Sequence, residues 1–340
     1  MKEVVVFCQV ADSVGVKVVV DNFIRILGGL YKVSVSESLP KSKDSVYIIP
    51  YGIKNTYLAL KHNYNVPISL MTDYYSLSQW NTIKFFCQRE DFWMSKFSIK
   101  TTARFIKYYI IENYVFTHCK NFMFVSQTDI NNVKKRFPYN NYYCVPNGVK
   151  IPGNYSKNKK NSSLIFGFLS IWLEESFYEH KWFLDSFWPF IVDKYPNASI
   201  KICGRHASKK MIQYVSSFKN VDFIGEVDSL SVFFDMIDVY LVPIPKGCGI
   251  LNKVLDAFAH KTLVVGLTPS FSGFTYMKDS YVEFNTLDDF LKFVDDFYYN
   301  RNKYDTLVNN AYENIKIYND WDTNYSKFIK TLKQQKVLTP

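Results

Sequence analysis

Short apolar runs alternate with helical patterns along most of the chain, and one polar stretch divides the alternation into two series. The first series opens with a strand over residues 3–10 and the turn Ala11-Asp12-Ser13-Val14-Gly15. A helical pattern through Val18, Val19, Phe23, Ile26 and Leu27 then stops at Gly28-Gly29. Strands are predicted at Lys32–Ser36, Ser45–Pro50, Ile68–Thr72, Asn121–Ser126 and Tyr142–Pro146, with the longest helical signal over about 90–116. After Pro146-Asn147-Gly148-Val149 comes a Lys/Asn/Ser-rich stretch, 153–163, that reads as a linker. The second series has strands at Leu164–Leu169, Ser199–Cys203, Val221–Ile224, Val239–Pro243 and Thr262–Gly266. Helices are predicted near 178–193, 208–217, 229–236 and 250–260. Strand–helix alternation of this kind forms parallel sheets covered on both faces, so the expected class is α/β with two doubly wound domains. The expected division is 1–152, linker 153–163 and 164–318. A closing helix over 319–340 follows, with a return to the first domain as an option.

The 340 residues are enough for a core in each domain. No window approaches 18 uncharged apolar residues, and the run Val4–Cys8 reads as a buried strand rather than a leader. The six cysteines show no CxxC or zinc spacing and the five histidines no HExxH pair, so a metal held by dedicated ligands is not expected.

Charge is the compositional oddity. The net of +10 sits almost wholly in the first half, where residues 1–150 carry 19 basic and 10 acidic side chains against 22 and 21 in the rest. Lys96, Lys100 and Arg104 recur every four residues, with Lys107 beyond, and Trp93 and Phe97 are interleaved among further phenylalanines. Such a stripe suits an interfacial helix on anionic lipid, or a solvated face over a Phe-rich core. Nucleic acid is not expected, because no RRM, KH or helix-turn-helix signature accompanies the charge.

In open parallel sheets ligands bind at the carboxyl ends of strands, and between two such domains the facing cleft is the expected site. There the segment Val239–His260 reads as a strand ending in prolines, a GxG turn (Gly247, Cys248, Gly249), then a helix through Ile250, Leu251, Asn252, Lys253 and Asp256. Glycines let a ligand approach the backbone, and free amides of a first helical turn favour an anion. A lysine there opposes the helix dipole, which a bound diphosphate would explain; Asp256 is one turn on, placed for ribose hydroxyls. The alternative is a tight turn with a solvated Lys–Asp pair. Asp73 and Asp12, at strand ends of the first domain, are candidate catalytic groups that could accept the acceptor hydroxyl's proton or position it, or be caps. Glu112 reads as structural, and Asp320-Trp321-Asp322 as a helix start.

The chain resembles GT-B-fold glycosyltransferases of family 4, the group 1 type found in bacterial surface-polysaccharide synthesis. The likeness lies in GCGILNKVLDAFAHKTLVVG (family pattern GxGxxxKxLEAxAxG), NVDFIGEVDSLSVFFDMIDVYLVPI, IFGFLS…WFLDSFWPFI…YPNASIKICGR, VSQTD…VPNGV and the closing YNDWDTNYSKFIKTL. It is strong over about 120–333 and looser before. Of the family's EX7E acidic pair, the first position is Cys248 and the second Asp256; the glycine after the helix is Lys261.

The resemblance implies transfer of a sugar from a nucleotide-sugar, with retention, to a glycan or lipid-linked acceptor. Lys253 and Arg205 would balance diphosphate charge, with amides around Gly247–Leu251 and Gly15 completing the clamp and Gly225-Glu226 lying against the base. It further implies no metal or other cofactor, and a cytoplasmic enzyme peripheral on the inner face of an anionic membrane. A GT-B sugar-nucleotide epimerase and a non-catalytic donor- or lipid-binding subunit are the alternatives.

Overall fold

A computed structural model of the 340-residue chain describes residues 3–9, 14–29, 31–41, 46–93, 95–153, 157 and 164–337. It divides into two compact units. Unit 1 comprises Met1–Gly148, Cys248–Ile250 and Tyr318–Pro340; unit 2 comprises Val149–Gly247 and Leu251–Ile317.

Unit 1 has strands β1 (Glu3–Phe7), β2 (Lys32–Ser36), β3 (Val46–Pro50), β4 (Ser69–Leu70), β5 (Asn121–Phe124) and β6 (Asn141–Cys144). They pair in parallel as β2-β1-β3 and β4-β5-β6, and a bridge from Tyr51 to Leu70 connects the two sets. The order 2-1-3-4-5-6 is the flavodoxin-like form of a doubly wound sheet. β4 is shorter than the predicted Ile68–Thr72, because the chain bends at Thr72-Asp73. The long helical signal is two helices, Glu90–Trp93 and Lys96–His118: the Ser95 hydroxyl accepts from the Ser98 N–H and starts a new helix. Packed on it are the Ile53–Lys61 and Tyr75–Phe86 helices. Glu112, wholly buried, accepts from the Ser76 N–H at 2.9 Å and from its hydroxyl, and burial pushes its carboxyl up to about 7.

The closing helix, Trp321–Gln334, starts at Asp320, whose carboxylate accepts from the Thr323 N–H at 2.8 Å. It packs on the Val14–Gly28 helix within unit 1. Gly148 fits under it: a Cβ there would lie 2.5 Å from Trp321 Cγ and 2.6 Å from Trp321 N. Side chains of Asn319 and Asn324 donate to the carbonyls of Asn147 (2.7 Å) and Pro146 (3.0 Å).

Unit 2 has strands β7 (Ile165–Ile171), β8 (Ser199–Arg205), β9 (Val221–Gly225), β10 (Val239–Val242), β11 (Leu263–Leu267) and β12 (Val282–Phe284). All pair in parallel in the order β12-β11-β10-β7-β8-β9, the 3-2-1-4-5-6 Rossmann order. Helices cover both faces, so β10 and β11 are buried at every residue, whereas the edge strand β9 is not. The predicted 178–193 helix is again two, Glu174–Ser186 and Trp188–Lys194, broken at Phe187 with Pro189 in the second helix's first turn. The first begins early because the Ser176 hydroxyl accepts from the Leu173 N–H at 3.0 Å and Glu174 and Glu175 suit a helix N-terminus. Between 267 and 318, β12 is followed by helices Leu287–Tyr299 and Asp305–Tyr318. An aromatic core of Phe166, Phe183, Phe187, Trp188, Phe284 and Phe290 lies under the sheet.

Candidate functional site

In unit 2, β10 runs into the loop 243–251 and the helix Asn252–Ala259. Gly247 takes φ 64°, which favours glycine, and no side chain caps the helix at Leu251. Lys253 is half-buried one residue into the helix; its ammonium donates to the Leu169 carbonyl at the end of β7 at 3.4 Å. Burial, partly opposed by Glu179, lowers its pKa to about 8. Asp256, also half-buried, is pushed up to about 7 by burial. The predicted pair thus shares one helix, with Lys253 reaching β7.

The structure adds a partner set that sequence reading missed. The Lys246 ammonium lies 3.6 Å from Glu175 Oε2 and 3.8 Å from Glu179 Oε1, both on the Glu174–Ser186 helix. Glu179 is 2% exposed, and its Oε1 has no hydrogen-bond partner. Next along is His180, its Nδ1–H donating to the Ser176 carbonyl and its ring stacked on Trp172 at 4.8 Å. Burial, with Lys253 adding to it, holds His180 down to about 3, so it is a neutral imidazole. Lys246 of the glycine loop therefore meets two carboxylates of the neighbouring helix, and Lys253 of the following helix feels the charge of Glu179. The signal available was the i,i+4 spacing of Glu175 and Glu179 and the Lys before Gly247.

The remaining predicted unit 2 residues stand at strand ends. Arg205 ends β8, after Gly204, where a Cβ would meet the Ser170 carbonyl oxygen at 1.8 Å. Gly225, at φ 76°, ends β9 with open space around it, and Glu226 is exposed. Leu251 and Asn252 are half-buried at the helix start.

The other three loop residues, Cys248, Gly249 and Ile250, belong to unit 1. The Gly249 N–H donates to Asp129 Oδ2 at 2.8 Å, and a Cβ at Gly249 would fall 1.9 Å from Asp73 Oδ1. Asp129 is wholly buried at the start of the Gln127–Lys134 helix, within the VSQTD segment. Burial and then the Asp73 charge push its carboxyl up to about 8. Burial and these carboxylates raise the Cys248 thiol too, and it hydrogen-bonds Asp129. Asp73 therefore does not stand alone at its strand end: a second carboxyl accompanies it. Asp12 lies outside the described residues. Gly15 falls in the first turn of the Val14–Gly28 helix, not in the preceding turn, because the helix begins at Val14.

On the Lys96–His118 helix, Lys96, Lys100, Arg104 and Lys107 are exposed, as is Trp93 before it. Phe97 is a correction. It is 2% exposed and packs on Phe86 and Phe92, because its helical phase points to the core. The apolar groups beside the basic stripe are instead Ile99, Ile106 and Ile110, 53–67% exposed.

Among the described residues, no three His, Cys, Asp or Glu side chains are grouped to hold a metal ion, and no helix is long and apolar enough to cross a membrane.

Residues 165–277 match the family model of glycosyl transferases group 1. No curated protein matches the chain by sequence. Solved structures are similar over its whole length. Sucrose-phosphate synthase from Thermosynechococcus elongatus covers 100% of both chains at 9% identity and a TM-score of 0.73. Anabaena HepE, in complex with UDP, covers 98% of this chain and 100% of its own at 11% identity and 0.61. WaaG, a glycosyltransferase involved in lipopolysaccharide biosynthesis, covers 96% and 98% at 11% identity and 0.59.

Proposed function

For a chain whose residues 165–277 are a group 1 glycosyl transferase domain and whose whole length has the GT-B fold, we propose transfer of a sugar from a nucleotide-sugar to a glycan or lipid-linked glycan, with retention at the anomeric carbon. The observation that carries this reading is the placement of Lys253 and Lys246 around the uncapped N-terminus of the Asn252–Ala259 helix.

The chemistry required is stabilisation of the charge that builds on a departing diphosphate while the sugar acquires oxocarbenium character. Lys253 takes one phosphate and Lys246 a second, with Arg205 beside them and the amides of the first helical turn completing the anion site. Diphosphate competes with Glu175 and Glu179 for these lysines, so binding exchanges one set of ion pairs for another. Asp256 accepts from ribose hydroxyls, and Gly225-Glu226 lies against the base. UDP in the HepE structure supports a nucleoside diphosphate as the ligand class. No metal or other cofactor enters this mechanism.

On the acceptor side, the Asp73–Asp129 pair holds or receives the acceptor's hydroxyl proton, one carboxyl being protonated near neutrality. The basic stripe with Ile99, Ile106 and Ile110 rests on an anionic membrane at the inner face, where a lipid-linked acceptor is met. The role of WaaG in lipopolysaccharide synthesis supports a surface glycan as product class.

The test is a thermal-shift panel of UDP-, GDP-, ADP- and CMP-sugars, followed by turnover of the donor that binds. A ligand at 100 times its dissociation constant stabilises by roughly 2.7 kcal/mol. Donor turnover that requires an acceptor supports the transferase. Turnover without acceptor identifies an epimerase, and binding without turnover a non-catalytic subunit.

A further inference from the structure

Once diphosphate takes the lysines of the unit 2 cluster, the buried carboxylate of Glu179 is left without its cation. Glu179 is buried, yet its Oε1 receives no hydrogen bond: the Lys246 ammonium stands 3.8 Å away, beyond hydrogen-bonding reach. Buried carboxylate oxygens ordinarily have donors, because an unmatched acceptor loses water without replacement. On its other side Glu179 acts electrostatically on Lys253. Its orphaned oxygen thus stands 3.8 Å from one of the lysines assigned to phosphate, and its charge acts on the other. Of the donors around it, His180 Nδ1–H goes to the Ser176 carbonyl and the Trp172 indole to the Cys203 carbonyl at 3.4 Å. A group that arrives with the diphosphate and carries hydroxyl donors meets this requirement; phosphate, which has acceptors only, does not.

We propose that Glu179 reads the donor sugar, its carboxylate accepting a hydrogen bond from a hydroxyl of the sugar attached to the diphosphate. The inference rests on the nucleotide-sugar reading of the site. Glu179 acts as a specificity residue: a sugar that offers a hydroxyl at this oxygen satisfies it, and one lacking that hydroxyl leaves a buried carboxylate unmatched.

Matched ligand pairs separate the sugar contribution from the phosphate contribution. UDP with UDP-glucose, GDP with GDP-mannose and ADP with ADP-glucose are titrated calorimetrically into wild type, Glu179→Gln and Glu179→Met, with circular dichroism verifying the fold. Removing a negative charge beside two lysines leaves free-diphosphate affinity unchanged or raised in both variants. The nucleotide-sugar of the binding pair loses affinity relative to its diphosphate by about tenfold in Glu179→Met and by less in Glu179→Gln, whose amide oxygen still accepts. Equal shifts for both members of the pair, or no shift in either, overturn the inference, because Glu179 then acts only on the lysines or not at all. Wild type binding none of the six ligands overturns the nucleotide-sugar reading itself and the inference with it, an outcome distinct from equal shifts.

Discussion

The backbone N–H of Gly249 donates to the buried Asp129 carboxylate at 2.8 Å, and the same glycine leaves no room for a side chain against Asp73. Its φ of 69° is in the left-handed region, so two independent constraints demand glycine there. Gly249→Ala is expected to displace Cys248–Ile250 and lower transfer about 100-fold, with far-UV circular dichroism unchanged. Transfer within threefold of wild type would mean that the segment's position is irrelevant to activity.

Asp129 also makes stability depend on pH. Its folded value, about 8, lies above the usual carboxylate value of 3.8, so the neutral form is favoured in the native state. The contribution is therefore present in full below pH 3.8 and is lost as pH rises through 8. Asp129→Asn keeps an acceptor for Gly249 without a charge. Relative to wild type it is expected to gain stability between pH 5 and 8.5, by on the order of 1–3 kcal/mol. Paired thermal denaturation curves across that range check this; a difference that is flat or declines with pH contradicts it.

Donor affinity carries its own pH signature. Below about 7 Asp256 takes up a proton and loses its charge, while above about 8 Lys253 loses its proton. Affinity for the nucleotide-sugar is expected to peak between pH 7 and 8 and to fall roughly fivefold from pH 8 to 9. Lys253→Ala should abolish the alkaline limb and Asp256→Asn the acid limb. Titration calorimetry at half-unit intervals decides it: a profile that keeps both limbs in both variants assigns them to other groups.

The exposed isoleucines give the membrane reading a sharper test than charge alone. Replacing Ile99, Ile106 and Ile110 together by Ser should leave the melting temperature within about 2 °C, since all three are exposed. Co-sedimentation with anionic vesicles should drop at least fivefold. Phe97→Ser should instead lower the melting temperature sharply, because Phe97 is core. Equal sedimentation of the triple variant and wild type, or of wild type with anionic and neutral vesicles, would contradict a lipid-facing helix.

Legibility in the sequence followed burial. Strands such as β10 and β11, enclosed on both faces, appear as continuous apolar runs and were placed to within a residue or so. Lys253 and Asp256 were readable because both lie on one helix, a fixed turn apart. Lys246, Glu175 and Glu179 were not, because their ion pairs join segments about 70 positions apart, and sequence spacing carries no information about which strand ends become neighbours. Asp129 lies within VSQTD, but nothing in the sequence matches it to Gly249, 120 positions later. Phe97 misled for a different reason: it is one position removed from the basic stripe, and a helical turn of 100° per residue carries it from the exposed face to the core.

Lys253 holding the diphosphate of a nucleotide-sugar is what the proposed activity depends on most. Its most direct test is the dissociation constant of the panel's best-binding nucleotide-sugar for wild type and Lys253→Ala, with the folded state of each verified by thermal denaturation. Loss of one charge-assisted phosphate contact should weaken binding by about 30-fold or more, roughly 2 kcal/mol, in a variant that still melts cooperatively. Equal dissociation constants for the two proteins would contradict the claim.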